Sequence, residues 1–249
     1  MVTLPRMEDA INSLKEALKR SGRVAVLTGA GVSAESGVPT FRGDDGLWKN
    51  YQATELATPQ AFARDPEMVW EFYNWRRGLI GRKACNPAHR ALADMERLIP
   101  DFTLITQNVD GLHLLAESRH LLEIHGNIWR VRCTRCGRRT LDRSLDMGPL
   151  PKCAACGGLL RPDVVWFGES LDPEILHQAV EAAKTCQVML VVGTSSVVQP
   201  AASLANTAKS GRALLAEINL ERTPNSDLMD IVLIGKAGEI LPELVKGWA

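Results

Sequence analysis

Arg23-Val-Ala-Val-Leu-Thr28-Gly29-Ala-Gly31-Val-Ser-Ala34-Glu-Ser-Gly37-Val-Pro39 decides how the rest of the chain is read. Its first six residues enclose the apolar run Val-Ala-Val-Leu and predict a short buried strand. Gly29, Gly31 and Ala34 then satisfy the G-x-G-x-x-G/A spacing of a phosphate-binding turn. In such a turn the first glycine permits the tight bend, the second lets backbone approach a pyrophosphate, and a small third residue lets helix pack on strand. Amides at the following helix start would face the phosphates. Glycine turns between strand and helix are common, so the motif alone leaves a purely structural turn open. A conventional dinucleotide fold also asks for a second strand ending in an acid about 20 residues on, for the ribose. The chain offers instead a loop, Pro39-Thr-Phe41-Arg42-Gly43-Asp-Asp-Gly46-Leu-Trp48, which disfavours a hydride-transfer dehydrogenase.

The strand-to-polar-turn pattern returns four times. Asp101-Phe-Thr-Leu-Ile-Thr106 runs into Gln107-Asn108-Val-Asp110-Gly111, whose amides and acid suit recognition of a carboxamide and a ribose. Val188-Met-Leu-Val-Val192 leads to Gly193-Thr194-Ser195-Ser196, and Leu214-Leu-Ala-Glu-Ile-Asn219 ends on an amide where an adenosine ribose could be held. Ile231-Val-Leu-Ile234 precedes Gly235-Lys-Ala237-Gly-Glu239. Helical patterns fall between, at 87–98 and 173–184, after an amphipathic first helix carrying Met7, Ile11, Leu14 and Leu18. This alternation predicts an α/β protein with a doubly wound, Rossmann-like parallel sheet. Ligands in that architecture sit at the carboxyl ends of the strands, where every one of these turns falls.

Between the second strand and the third of these turns lies Leu121-Leu-Glu-Ile-His125-Gly126-Asn127, a mostly apolar run that carries one histidine to a chain reversal. His125 is the histidine whose neighbours place it at the cleft; His89 and His113, on helix starts, read as structural. Cys133-x-x-Cys136 and Cys153-x-x-Cys156 follow, sixteen residues apart. Two such knuckles hold four thiolates around one Zn2+, and four protein ligands leave no open position, so the metal is structural. Arginines 130, 132, 135, 138, 139 and 143 crowd this module without interleaved aromatics, which favours a solvated face over nucleic-acid binding. Residues 53–82 read as broken helices rich in aromatics, with Tyr73 and Arg76 on one face. Without further information their aromatics would pack inward and their arginines stay solvated. Arg161-Pro-Asp-Val164-Val-Trp166-Phe167-Gly168-Glu169 reads as an apolar strand ending in a turn, able to pair with an extended peptide.

At 249 residues, 45% hydrophobic and 23% charged, the chain has the composition of a globular protein. Its 29 basic and 29 acidic residues cancel, so no global field steers it to nucleic acid or an anionic membrane. No apolar run is long enough for a bilayer, and no secretory signal opens the chain. Paired-cysteine spacing argues for a reducing compartment, hence a cytoplasmic address. A monomer is expected.

Taken together these motifs resemble the sirtuin family. The resemblance rests on residues 29–43, Thr106-Gln-Asn-Val-Asp-Gly-Leu-His113, His125-Gly126, the two cysteine pairs, Val164-Val-Trp-Phe-Gly-Glu169, Gly193-Thr-Ser195 and Gly235-Lys-Ala-Gly-Glu239. They occur in family order over nearly the whole chain, with Trp166 standing where phenylalanine is more usual. It implies a Rossmann-like core (1–45, 86–128 and 162–249) and a smaller domain from a helical insert (46–85) and a zinc-ribbon insert (129–161). It implies an NAD-dependent protein lysine deacylase acting on acyl-lysine peptides, with His125 as the base that activates a ribose hydroxyl. The implied products are nicotinamide, deacylated lysine and an acyl-ADP-ribose. Ala30, Gly31, Phe41 and Arg42 would line the ribose-phosphate and nicotinamide region, with Gly29 in the same turn. Asn108 and Asp110 would hold the nicotinamide carboxamide and Gln107 its ribose. Gly193, Thr194, Ser195, Asn219 and Ala237 would surround the adenosine, and 164–168 would pair with the peptide. Leu56-Ala57-Thr-Pro59 and Tyr73-x-x-Arg76 further resemble the subgroup that removes succinyl and malonyl groups, where tyrosine and arginine bind the distal carboxylate and Ala57 leaves room. A plain deacetylase, a mono-ADP-ribosyltransferase and a nucleic-acid-binding zinc ribbon are the alternatives.

Overall fold

A strand that is apolar at every position is satisfied only when both of its faces are covered. The computed structural model, which describes residues 7–39, 47–49 and 51–248, meets that demand around Arg23–Thr28 (β1). In chain order the described elements are α1 (Met7–Arg20), β1, α2 (Ala30–Ala34), β2 (Leu47–Trp48), β3 (Tyr51–Gln52), α3 (Ala53–Leu56), α4 (Pro59–Arg64) and α5 (Pro66–Ile80). They continue with α6 (Pro87–Leu98), β4 (Asp101–Thr106), α7 (Leu112–Leu115), β5 (Leu121–Glu123), β6 (Gly126–Cys133), β7 (Arg139–Leu141) and β8 (Leu160–Val164). The last are α8 (Pro173–Thr185), β9 (Val188–Val192), α9 (Leu204–Ser210), β10 (Leu214–Asn219), β11 (Ile231–Ile234) and α10 (Ala237–Val245).

Among the described residues six parallel strands form one sheet in the order β11-β10-β9-β1-β4-β5. Counted along the chain this is the 3-2-1-4-5-6 order of a doubly wound dinucleotide fold, with its switch point between β1 and β9. Successive side chains of a strand point to opposite faces. Val24 and Val26 accordingly join Leu14, Leu18, Leu92 and Leu244 on the side of α1, α6 and α10. Ala25 and Leu27 join Ala179, Ala183, Ala205 and Leu215 on the side of α8 and α9. Each fully buried Val or Leu contributes about 1.5–3 kcal/mol. The apolar stripe of α1 starts at Ile11 rather than at the first turn, because Met7 remains 48% exposed. No helix of the described residues is long and apolar enough to cross a membrane.

A second unit is built on β6, which pairs antiparallel with β7 and β8. Helix α5 packs Trp70, Phe72 and Tyr73 into its core with Ile128, Trp129, Val131 and Trp166. The Trp70 indole donates to the Leu160 carbonyl at 2.9 Å. Arg76 and Arg77 are both buried, against the expectation that the arginines of this helix are solvated. Arg77 donates from Nε to the Ser144 carbonyl (2.7 Å), from Nη1 to the Ile128 carbonyl (2.9 Å) and from Nη2 to the Asp142 carbonyl (2.5 Å). Its Nη2 also meets the Asp142 carboxylate at 3.0 Å. A guanidinium can be buried when its fork of donors finds this many acceptors.

One of the crossings between the two units is very short. β5 ends at Glu123 in the parallel sheet and β6 begins at Gly126 in the antiparallel one, leaving Ile124 and His125 between. Gly126 makes the reversal at φ +81°, and a Cβ there would lie 2.2 Å from the Asp163 carbonyl oxygen. Only glycine fits both demands.

Candidate active site

The turns after β1 and β9 interlock at the switch point. Gly29 donates its amide to the Val192 carbonyl (3.0 Å) and Gly31 to the Gly193 carbonyl (2.8 Å). A Cβ on Gly29 would stand 2.7 Å from Thr194 Cβ, one on Gly31 2.8 Å from Gly193 Cα, and one on Gly193 2.5 Å from Val32 N. The sequence assigns Gly31 to phosphate approach; the neighbouring turn independently requires it to be small. Ala30, half-buried, opens α2 beside it.

The amide turn after β4 is bound into the same floor. Gln107 Nε2 donates to Thr194 Oγ1 (3.0 Å), joining the ends of β4 and β9. Asn108 Nδ2 donates to the Gly29 carbonyl and to Ser33 Oγ, both at 3.0 Å. Asp110 is buried, accepts the Leu112 amide (2.8 Å) and interacts with Ser33 and Arg76. Burial pushes the Asp110 carboxyl up and the Arg76 guanidinium down, and their mutual attraction partly opposes both shifts. Ser33 is thus a hub that the sequence reading left without a role. Its signal was only its place in α2, facing β4.

His113 and His89 lie beneath this turn, buried, with ring centroids 4.8 Å apart. His113 Nε2 meets Thr28 Oγ1 at 3.0 Å, while Thr28 Oγ1 donates to Thr106 Oγ1 at 2.8 Å. His89 contacts Ser33 through Nε2 (3.5 Å) and completes the N-cap of α6 with Asn86. Burial lowers the His89 pKa to about 4 and holds His113 well below its ordinary value, with His89 adding to the latter effect. Both rings are therefore neutral supports.

His125 occupies the crossing between the two sheets. Its Nδ1 lies 3.1 Å from the Gln107 carbonyl, and a carbonyl can only accept. The proton therefore sits on Nδ1 and the lone pair on Nε2. Burial lowers the His125 pKa, with the Gln107 bond opposing, so the ring is a neutral base through physiological pH. The loop around it is strapped by Asn127 Nδ2 donating to Glu123 (2.5 Å), and by Glu123 pairing with Arg130 (2.9 Å). Its own carbonyl accepts the Val165 amide at 2.9 Å.

On the small-unit side, β8 ends at Val164 and residues 165–169 form a hook rather than a continuing strand. The amides of Val165, Trp166 and Phe167 are committed to the His125 carbonyl, the Glu169 carboxylate and the Ala57 carbonyl, each at 2.9 Å. Gly168 makes the bend at φ +86° and Phe167 stands 47% exposed. Glu169 is held below the usual carboxylate range by Arg161 and the Trp166 amide, which outweigh its partial burial. Tyr73, buried, accepts a hydrogen bond from Trp166 Nε1 at 2.8 Å, and burial pushes its phenol up to about 12. Arg76 stands within electrostatic reach of both Tyr73 and Asp110.

At the outer strands, Asn219 Nδ2 donates to the Thr194 carbonyl (3.0 Å) and Ser195 is exposed beyond it. Ala237 is buried at the start of α10, whose Gly238 amide donates to Glu35 at 3.0 Å. Glu217, buried mid-strand in β10, accepts from Thr223 Oγ1 (2.5 Å) and Ser226 Oγ and so ties down the loop after Asn219. A lone acid inside an apolar strand was the signal for it. Phe41 and Arg42 lie outside the described residues.

The four Sγ atoms of Cys133, Cys136, Cys153 and Cys156 lie within 4.8 Å of one another. Cys133 and Cys156 are 3.5 Å apart and Cys136 and Cys153 3.8 Å, too far for disulfides and matched to the edges of a tetrahedron of Zn–S bonds. The Arg135 and Cys136 amides point at Cys133 Sγ (3.4 and 3.5 Å). Gly137 and Gly157, each following a knuckle, hold φ +72° and +70°. Three of the arginines around this module are met by acids: Arg130 by Glu123 and Asp163, Arg132 by Asp163 and Glu169, and Arg139 by Asp163 and Asp172. The donor set fits one structural zinc ion.

Residues 29–200 match the Sir2 family model. An NAD-dependent protein deacylase of Leptospira interrogans is 52% identical over 226 residues, covering 90% of this chain and 92% of that protein. One from Pyrococcus furiosus is 50% identical over 242 residues, covering 95% and 97%. A crystal structure of a Sir2 homolog–NAD complex superposes with a TM-score of 0.91 at 49% identity, over 95% of this chain and 93% of the other. A Sir2 protein bound to a deacetylated p53 peptide and 3′-O-acetyl ADP-ribose gives 0.84 at 31% identity, over 96% and 98%. The chain belongs to the Sir2 family; it is a sirtuin.

Proposed function

We propose that this sirtuin is an NAD-dependent protein lysine deacylase whose acyl pocket takes acidic acyl groups, succinyl and malonyl, along with acetyl. The observation that carries the reading is His125, with Nδ1 pinned to Gln107 and Nε2 free as a base where the turns after β1, β4 and β9 meet the small unit. The names of the relatives, and a structural neighbour that holds NAD, support it.

Bound NAD supplies an electrophilic ribose carbon as nicotinamide departs. In this reading Ala30 and Gly31 line the diphosphate, and Asn108 and Asp110 receive the carboxamide. Gln107 faces the nicotinamide ribose, while Gly193, Thr194, Ser195, Asn219 and Ala237 surround the adenosine; Phe41 and Arg42 would close the site. His125 Nε2 takes a proton from a ribose hydroxyl, and burial keeps it in the accepting form. The substrate peptide lies along 164–168. Three amides there are already committed, as are the Val164 and Trp166 carbonyls, so a pairing peptide would use the Val165 and Phe167 carbonyls.

Tyr73 and Arg76 carry the acyl preference, with Ala57 leaving room beside them. A guanidinium in a buried site favours a carboxylate partner and gains nothing from an acetyl methyl. Asp110 stands near enough to share that charge, so an acyl carboxylate would compete with it. The test is an NAD-dependent assay on acetyl-, malonyl-, succinyl- and glutaryl-lysine peptides with wild-type protein and Arg76→Met. The expected loss in the variant is about 30-fold or more on succinyl-lysine, by the scale of charge-assisted bonds, and far less on acetyl-lysine. Equal losses on both would remove Arg76 from the acyl pocket. Labelled ADP-ribose appearing on protein would favour the transferase alternative.

A further inference from the structure

Trp166 reaches the residue pair that is read here as choosing the acyl group. Its indole N–H lies 2.8 Å from the Tyr73 hydroxyl, and both side chains are buried, each 2% exposed. An indole N–H can only donate, whereas a phenol has one proton to give and lone pairs to accept with. The Tyr73 oxygen must therefore be the acceptor, and its own proton points elsewhere. No solvent averages that orientation at this burial.

The indole is itself held on several sides. The Arg161 guanidinium carbon sits 3.4 Å from the Trp166 ring centroid, within the range of a strong cation–π contact. Phe62 packs on the same indole with centroids 5.1 Å apart. Arg161 is fixed in turn by a bidentate pair with Glu169 at 2.6 and 2.8 Å and by donating to the Val164 carbonyl at 3.0 Å. Glu169 closes the circuit by accepting the Trp166 backbone amide. Arginine, glutamate and tryptophan of one nine-residue segment thus aim a single N–H at a tyrosine on α5.

We propose that Trp166 is a specificity-positioning residue: by filling a lone pair of the Tyr73 oxygen it turns the phenol proton toward the acyl terminus, making Tyr73 a donor to an anionic acyl group beside Arg76. The proposal rests on the acyl reading above and adds the residue that orients it. A phenylalanine at 166 keeps a ring against Arg161 and Phe62 but loses the donor, leaving the Tyr73 hydroxyl free to turn. An acetyl group ends in a methyl with nothing to accept, so the orientation matters to the ratio between acyl groups.

The test compares Trp166→Phe, Tyr73→Phe and the double variant in the full chain. The first readout is the ratio of kcat/KM on succinyl-lysine to that on acetyl-lysine. The expected fall in Trp166→Phe is about five- to tenfold, the scale of one hydrogen bond to a charged group. On the Tyr73→Phe background the same change should lower the ratio no further. The second readout is the carbon-13 resonance of the ring carbon bearing the hydroxyl. The chain has two tyrosines, so Tyr51 serves as the reference. Trp166→Phe should move the Tyr73 signal and leave that of Tyr51 in place. If Trp166→Phe misfolds, 3-benzothienylalanine at position 166 keeps the bicyclic shape with sulfur in place of N–H. Wild type active on succinyl-lysine with a ratio that survives loss of the N–H would overturn the proposal alone. A further fall on the Tyr73→Phe background would overturn it too, since Trp166 would then act by another route. Wild type inactive on succinyl-lysine would overturn the acyl reading itself, and with it this use of the hydrogen bond.

Discussion

The two walls of the cleft are built from different material. The sheet wall consists of turns packed backbone to backbone: Gly29 and Gly31 against Gly193, with Gln107, Asn108 and Ser33 binding them by short side chains. The small-unit wall consists of large side chains, Trp166 on Tyr73 and Arg161 on Trp166, with Arg77 threaded among carbonyls behind them. A wall of interlocked glycines has little freedom to vary, since any added carbon meets backbone. It suits the part of a reaction that is the same for every substrate. A wall of long side chains can be retuned one residue at a time, and it is where we propose that the acyl preference lies. His125 belongs to neither wall; it lies in the two-residue crossing from β5 to β6.

That division can be broken by experiment. The largest effect is expected from His125→Ala, which should lower turnover on every acyl peptide by about 10²–10⁴, the range of general-base catalysis. A loss confined to one acyl group would erase the separation of roles. The pH profile of wild type sharpens the point. Burial disfavours the imidazolium, so the His125 pKa lies below its ordinary value and the acid limb of kcat/KM should fall below about pH 6.5. A limb centred above that value would rule His125 out as the titrating base.

Arg77→Met comes next and concerns stability. It removes the donors to the Ser144, Ile128 and Asp142 carbonyls from a buried site, at an expected cost of about 3 kcal/mol, the scale for breaking a buried charged network. Chemical denaturation measures it, and a midpoint like that of wild type would show that α5 docks without this clamp. The neighbouring Arg76 should show the reverse pattern, with selectivity lost and stability largely kept.

A third effect, of similar size but confined to acid pH, separates support from catalysis on the sheet wall. His89 has a folded pKa of about 4 against 6.5 when unfolded, so the unfolded chain binds the extra proton between those values. Stability from this group is complete above pH 6.5 and is lost as pH falls toward 4, by on the order of 3 kcal/mol from the 1.36 kcal/mol per pKa unit conversion. His113 acts in the same direction; Asp110 and Glu123, raised by burial, act in the opposite one. The measurement is therefore the difference between wild type and His89→Gln across that window. Parallel curves would mean that His89 does not titrate on unfolding as its burial requires.

Much of the fold was legible because its signals are local. Val24–Leu27 is apolar throughout, and only a strand covered on both faces accommodates that. Each polar turn follows its strand directly, so the carboxyl edge could be assembled residue by residue. The cysteine pairs encode their own geometry, down to the Gly137 and Gly157 that close each knuckle with positive φ. Less was legible where meaning depends on a partner far along the chain. Spacing marks Gly31 as small for a phosphate but does not reveal that it also packs against Gly193. Arg76 and Arg77 are adjacent and chemically identical, yet one stands within electrostatic reach of Tyr73 and Asp110 while the other staples β6 and the loop after β7. Residues 165–169 continue an apolar run, but the strand stops at Val164 because Gly168 bends and their amides find His125, Glu169 and Ala57.

By itself the sequence determined the α/β alternation, the switch-point turns, the zinc ligands and the histidine at the reversal, since each is written in spacing over a few residues. The tertiary structure decided which nitrogen of His125 keeps its lone pair, which arginine is a clamp, and that Trp166 donates to Tyr73 across 93 positions. Periodicity along one chain carries which face a residue lies on. A hydrogen bond is set by where two distant segments come to rest, and only the folded backbone holds that information.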